Sequence, residues 1–133
     1  MNAVPAYFDI TPHERGLLAR LRFCPAVFLG EPSLRNLRHM ANGYQFAMET
    51  AGLRQLHNLL PEGLREFTAR YLNVTAGSRD CFTMISEREP DDAAALTLFF
   101  EILDACLEDR GLMPLEKIHG WEEFRSPWTD QIT

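Results

Sequence analysis

The sequence predicts an all-α fold: a single-domain helical bundle of four to six helices over residues 1–133, with a docked aromatic C-terminal tail. Three observations carry that prediction. Apolar residues recur at helical intervals, most regularly Leu34, Leu37, Ala41, Tyr44, Met48 and Ala51, which lie 3, 4, 3, 4 and 3 residues apart. Start and stop signals bracket such stretches at Thr11-Pro12, Ser33, Gly52, Pro61, Asp91 and Gly111. Length sets the third bound, since 133 residues with 46% hydrophobic and 24% charged positions suffice for one core rather than two. No apolar run approaches the ~20 residues of a membrane-spanning helix, so no membrane association is expected. Met1 to Ile10 lacks the charged start and apolar stretch of a signal peptide, and the expected location is the cytoplasm.

The first helix should open at Thr11-Pro12-His13-Glu14, where the Thr hydroxyl caps an open amide, Pro suits the first turn and Glu14 reaches back three residues. Leu17, Leu18 and Leu21 share one side of it. It should end near Phe23, because Pro25 pushes Cys24 out of the helical region. Pro25 to Pro32 then reads as a short extended or turn-like connector. Ser33 opens the most regular helix and Gly52 ends it, while Gly43 inside it costs about 1 kcal/mol relative to Ala and points to close approach by another element. Leu53 to Leu60 reads as a connector with a turn of its own.

Pro61 to about Leu72 is the next helix, with Pro61 in its first turn and Leu64, Phe67 and Tyr71 on one face. Asn73 to Arg79 is a polar loop. Cys81 to Ser86 fits a helix beginning at Ser78, although the run is short enough for a strand; the helix is the preferred assignment. Glu89-Pro90-Asp91-Asp92 breaks the chain and caps the longest apolar helix, Ala93 to about Arg110, whose Leu96, Phe99, Phe100, Leu103, Cys106 and Leu107 cover an arc wide enough for a central position. Trp121, Phe124 and Trp128 in the tail are anchors for docking.

Thirteen basic and nineteen acidic residues give a net charge of −6, the wrong sign for covering a phosphate backbone, so nucleic acid is a disfavoured partner. The balance is uneven. Met1 to Arg70 carries eight Arg against six acids, whereas Tyr71 to Thr133 carries five basic residues against thirteen acids, which predicts attraction between the halves or an acidic docking face. Lys117 is the only lysine. Arginine suits paired carboxylates through its planar fork, and coding bias explains the preference equally well. Cys24, Cys81 and Cys106 are odd in number without C-x-x-C spacing, and read as packed thiols rather than disulfide or zinc ligands.

No motif supplies chemistry. His13, His39, His57 and His119 share no short motif with Cys or with one another; Ser33, Ser78, Ser86 and Ser126 lack a nucleophile elbow; the glycines form no phosphate cradle. No catalytic residue, metal or cofactor is therefore expected. Two stripes invite a binding role. Arg35, His39, Asn42 and Phe46 lie 4, 3 and 4 apart on the side of the Ser33 helix opposite its seam, either as a partner surface or as a solvated face with Phe46 tucked under a connector. Glu101, Asp104 and Glu108 align on the polar side of the long helix, where paired carboxylates can do acid-base work or bind a divalent metal; without a histidine at i+3 or i+4 they read as a solvated acidic face that a partner can use.

Arg22-Phe23-Cys24-Pro25-Ala26-Val27-Phe28-Leu29-Gly30-Glu31-Pro32-Ser33-Leu34, followed by Leu37 and Asn42-Gly43-Tyr44, resembles small bacterial helical proteins of unassigned role with the pattern R-x-x-P-x-x-[YF]-L-G-x-x-S-L, then L-x-x-F-x-x-G-Y. Phe99 to Asp104 is similar to their F-F-E-L-L-D helix, and Met40 stands where they tend to place Phe. The resemblance implies an all-helical fold and, for some members, an immunity-type or toxin-associated role. Physically the motif reads as a scaffold device: Pro25 ends a helix, Phe28 and Leu29 plug the core, Gly30 turns, Ser33 caps the next helix, and Arg22 bonds connector carbonyls or Glu31.

The function expected from these features is a non-catalytic protein-binding module, with a basic toxin domain as the most specific partner. A small-molecule-binding protein or small enzyme with an inter-helix pocket is the alternative. A DNA-binding regulator, with Arg35 and Arg38 near the start of the Ser33 helix, is the third.

Overall fold

A computed structural model describes residues 10, 12–53 and 58–115. Among them the chain is all-α, with six helices and no strand: α1 (Pro12–Phe23), α2 (Pro25–Leu29), α3 (Leu34–Thr50), α4 (Leu64–Leu72), α5 (Cys81–Arg88) and α6 (Asp92–Asp109). No helix among these residues is long and apolar enough to cross a membrane. The Thr11 cap, His57 and the aromatic tail from Glu116 lie outside the described residues.

Helix α6 is central. It packs against α3, α4 and α5, and its Phe99, Ile102, Leu103, Cys106 and Leu107 are buried. Around it close Leu18 and Leu21 of α1, Leu34 and Leu37 of α3, Leu64 and Leu72 of α4, and Met84 and Ile85 of α5. Phe99 stacks on Phe82 at 5.5 Å between ring centroids and meets Phe100 edge-on at 5.1 Å, a geometry that adds electrostatic complementarity to burial. The seam of α3 holds over Leu34, Leu37 and Ala41, loosens at half-buried Tyr44 and Met48, and is exposed at Ala51.

Side-chain caps place the starts of α3, α5 and α6. Ser33 Oγ accepts the Asn36 amide at 3.0 Å, Asp80 the Thr83 amide at 2.8 Å and Asp91 the Ala94 amide at 2.9 Å. At the end of α3, Gly52 takes a left-handed φ of +74°, which returns the Leu53 amide to the Met48 carbonyl at 2.8 Å.

Several sequence expectations are corrected. Pro25 to Leu29 is a short helix rather than an extended connector, because Pro at its first position supplies the helical φ that follows the break at Cys24. Within it Leu29 is buried while Phe28 and Val27 face out, so the motif plugs the core with one side chain. Helix α4 begins after Gly63, whose left-handed φ of +82° leaves Pro61 in the preceding turn. The helix at Cys81 starts from the Asp80 cap and not at Ser78, which belongs to the loop. Gly43 meets no close neighbour: a Cβ built there has nothing within 4 Å.

Shared caps join the helices. Asp92, in the first turn of α6, accepts the Arg35 amide of α3 at 3.1 Å. Burial pushes its carboxyl up, but bonds from the Ser33 hydroxyl and the Arg35 and Leu34 amides outweigh that and hold it below the ordinary carboxylate range. Asn36 in turn donates its side-chain amide to the Leu29 carbonyl at 2.9 Å, closing the end of α2.

A carboxylate whose folded pKa is depressed stabilises above its unfolded value, and loses that contribution as pH falls through the folded one. Asp92→Asn should therefore lower Tm at neutral pH, with the deficit constant above about pH 4 and shrinking below it. Thermal unfolding across pH checks this, and an equal deficit at every pH contradicts the capping role.

Candidate functional site

The α3 stripe emerges as one open face. Arg35, His39, Asn42 and Phe46 are all exposed, and Phe46 shows 71% of its surface to solvent, so it is not tucked under a connector. The seam opposite fixes this orientation, since burying Leu34, Leu37 and Ala41 turns the stripe outward. The Arg35 backbone amide is tied to Asp92, and its side chain lines the cavity where α3 meets α6, close enough for its charge to act on the Asp92 carboxylate.

The acidic stripe of α6 divides. Glu101 and Glu108 are exposed, whereas Asp104 is 6% exposed and belongs to the interior. Its Oδ2 accepts Arg22 Nη1 at 2.5 Å and its Oδ1 accepts the Leu115 amide at 2.7 Å. Arg22 thus reaches across to Asp104 on α6. Its guanidinium also lies 5.4 Å from the Phe100 ring centroid and 6.0 Å from that of Phe23. Two turns earlier on α1, Arg15 donates to the Met113 carbonyl. Burial lowers its pKa while the Asp104 charge acts in the opposite sense. Around this pair an open groove of about 510 Å³ is lined by Phe67, Glu101, Asp104, Glu108 and Asp109, with Arg22 in its wall.

A smaller cavity of about 180 Å³ lies where the first turns of α3 and α6 meet α5, between Arg35, Arg38, Phe82, Ser86, Glu89 and Asp92. Arg38 spans part of it to Asp80 at 2.9 Å, an exposed pair of small energetic weight. Neither cavity is lined by His39, Tyr44 or Cys24.

Sequence reasoning missed the pair Glu14–Tyr44. Glu14 is fully buried and accepts the Tyr44 hydroxyl across the α1–α3 contact. Burial first, then the bond and the charge of Glu14, push the Tyr44 phenol well above its ordinary pKa, so it remains a donor. Alternation of buried and exposed positions in α1 does not signal a carboxylate in the core; only the tyrosine in an otherwise apolar seam hints that a partner must face it.

Among the described residues no group of three or more His, Cys, Asp or Glu is arranged to hold a metal ion. No family model, no curated protein and no solved structure matches this chain.

The thiols sort by burial. Burial and the neighbouring Asp80 push Cys81 up to about 12, burial raises Cys106, and Cys24 is half-buried at the α1–α2 junction. Alkylation of the native protein at mildly alkaline pH should label Cys24 first, with Cys81 and Cys106 reacting only on unfolding. Peptide mapping by mass spectrometry checks the order, and early labelling of Cys81 contradicts the packing at the start of α5.

Proposed function

We propose that this chain is a cytoplasmic, non-catalytic protein-binding module that docks through the outer face of α3. The single observation that carries the reading is that face: a cation, an imidazole, an amide and an exposed phenyl ring on one side of a helix whose other side is locked into the core. Arginine and aromatic residues supply most binding energy in protein interfaces, and a rigid helix presents them at little entropic cost.

The most specific form of the proposal is immunity-type neutralisation of a basic toxin domain, in keeping with the resemblance of the Arg22 to Leu34 segment. Supporting it are the net charge of −6 and the exposed Glu101, Glu108 and Asp109 around the α6 groove, a field that accelerates encounter with a basic partner. Asp104 is not part of that rim in energetic terms, because its charge is already spent on Arg22.

A second reading, a small-molecule-binding protein, is favoured by the 180 Å³ cavity beside Arg35 and Ser86. DNA binding fits the geometry less well. The first turn of α3 carries Asp92 on its amides, with Glu89 in the same cavity, and these carboxylates repel a phosphate backbone.

The test begins with the protein that co-purifies with the native chain, identified by mass spectrometry and titrated as a purified pair. Arg35→Glu and Glu101→Lys should each weaken binding about tenfold, equivalent to about 1.4 kcal/mol, with the second acting mainly on association rate and its salt dependence. Unchanged binding in both variants contradicts the proposal, and thermal stabilisation by a metabolite without any protein partner favours the cavity instead.

A further inference from the structure

The cavity of about 180 Å³ where α3, α5 and α6 meet is walled by charges of both signs. Two of them are engaged within the fold. Asp92 takes the Ser33 hydroxyl and the Leu34 and Arg35 amides, and Arg38 spans to Asp80 at 2.9 Å. Arg35 and Glu89 remain on the same wall. Arg35 acts on the Asp92 carboxylate through space, but among the described residues neither its side chain nor that of Glu89 forms an ion pair or a hydrogen bond.

Opposite charges beside one recess gain by meeting, because the low-dielectric wall strengthens their attraction. These two are held apart by the elements that carry them. Arg35 sits in the first turn of α3 behind the Ser33 cap, while Glu89 stands at the corner between α5 and α6, where Pro90 stiffens the chain and Asp91 caps the next helix. Ser86, exposed in the last turn of α5, adds a hydroxyl that is likewise unbonded among the described residues. Buried Leu34, Phe82 and Ala95 supply the apolar part of the wall, and stacking on Phe99 holds Phe82 in place.

From the unpaired Arg35 and Glu89 beside a recess of this size we infer that the cavity binds a small zwitterion of the α-amino acid class. The ligand carboxylate takes the planar fork of Arg35, its ammonium takes Glu89, and the Ser86 hydroxyl bonds to either. A short side chain lies against Leu34 and Phe82. Room for about six waters at their share of the liquid sets the size, so the ligand has similarly few non-hydrogen atoms. A simple anion would be repelled by Glu89 and a simple cation by Arg35, whereas a molecule with both charges answers both. The inference rests on the small-molecule reading of this cavity and is separate from docking through α3.

Calorimetric titration of the full chain with alanine and serine tests it, with propionate and ethylamine as the two halves of alanine that keep one charge each. Alanine or serine should bind in the micromolar to millimolar range, and each half at least about tenfold more weakly, since it leaves one wall charge unanswered. Glu89→Gln keeps the shape of the side chain and removes its charge. It should weaken amino-acid binding about tenfold while the Tm of the unliganded protein is unchanged, and Arg35→Gln should do the same. No binding of either amino acid, or binding that Glu89→Gln leaves unchanged, overturns the inference. If propionate alone binds as tightly as alanine, the cavity stands as a small-molecule site and the zwitterion falls; if no probe binds and no metabolite raises Tm, both fall.

Discussion

The carboxylate of Asp104 is the constraint around which the described part of the chain is arranged. A charge taken out of water on the central helix costs several kcal/mol unless its lone pairs are answered, and here one oxygen takes Arg22 of α1 while the other takes the Leu115 amide beyond α6. One side chain therefore fixes the first helix and the segment leaving the last one. Arg22 suits its side of the bargain for a reason that lysine does not share: its planar cation lies against Phe100 and Phe23 while donating to the acid. Arg15, two turns earlier, holds the Met113 carbonyl and extends the same clamp.

Elsewhere arginine does a related task with main-chain oxygens. Arg65 bonds the Arg79 carbonyl at 2.8 Å and that of Gly77, Arg79 reaches back to Thr75 and Ala76, and Arg88 donates to the Leu72 carbonyl at 2.7 Å. The loop between α4 and α5 thus has its carbonyls satisfied by side chains rather than by strand pairing. This gives the scarcity of lysine a physical use, since one fork can serve two carbonyls at once. The rest of the molecule is joined by caps that serve two helices, Asp92 on α3 and Asn36 on α2, so that α3 is held from both ends of its first turn.

Much of this architecture was legible in the sequence, for identifiable reasons. Helices α3 and α6 follow from apolar periodicity, and Ser33, Asp91 and Gly52 mark ends because capping and left-handed turns depend on local residue type. What was not legible is tertiary. Whether Asp104 faces water or the core depends on a residue 82 positions away, and the same holds for Glu14, whose burial needs the Tyr44 hydroxyl of another helix. Short α2 escaped because two prolines in eight residues resemble a connector, and nothing local says that the first of them starts a helical turn. The α3 stripe was legible as a pattern, its exposure following from the seam on the other side. The α6 stripe looks uniformly polar in the sequence because spacing cannot tell a paired carboxylate from a solvated one.

Function and fold meet at α3. The buried Leu34, Leu37 and Ala41 and the shared caps hold its inner face, and rigidity inside is what makes Arg35, His39, Asn42 and Phe46 a preorganised surface outside. The bundle beneath that surface is tied between α1 and α6 by Asp104, and a double-mutant cycle on Arg22 and Asp104 measures that tie directly. In urea unfolding, Arg22→Met and Asp104→Leu should each cost about 3 kcal/mol, since each strands a buried partner. The double variant should fall short of their sum by at least about 1 kcal/mol. Single costs that simply add, to within about 0.5 kcal/mol, would show that the two residues do not act together and contradict the account.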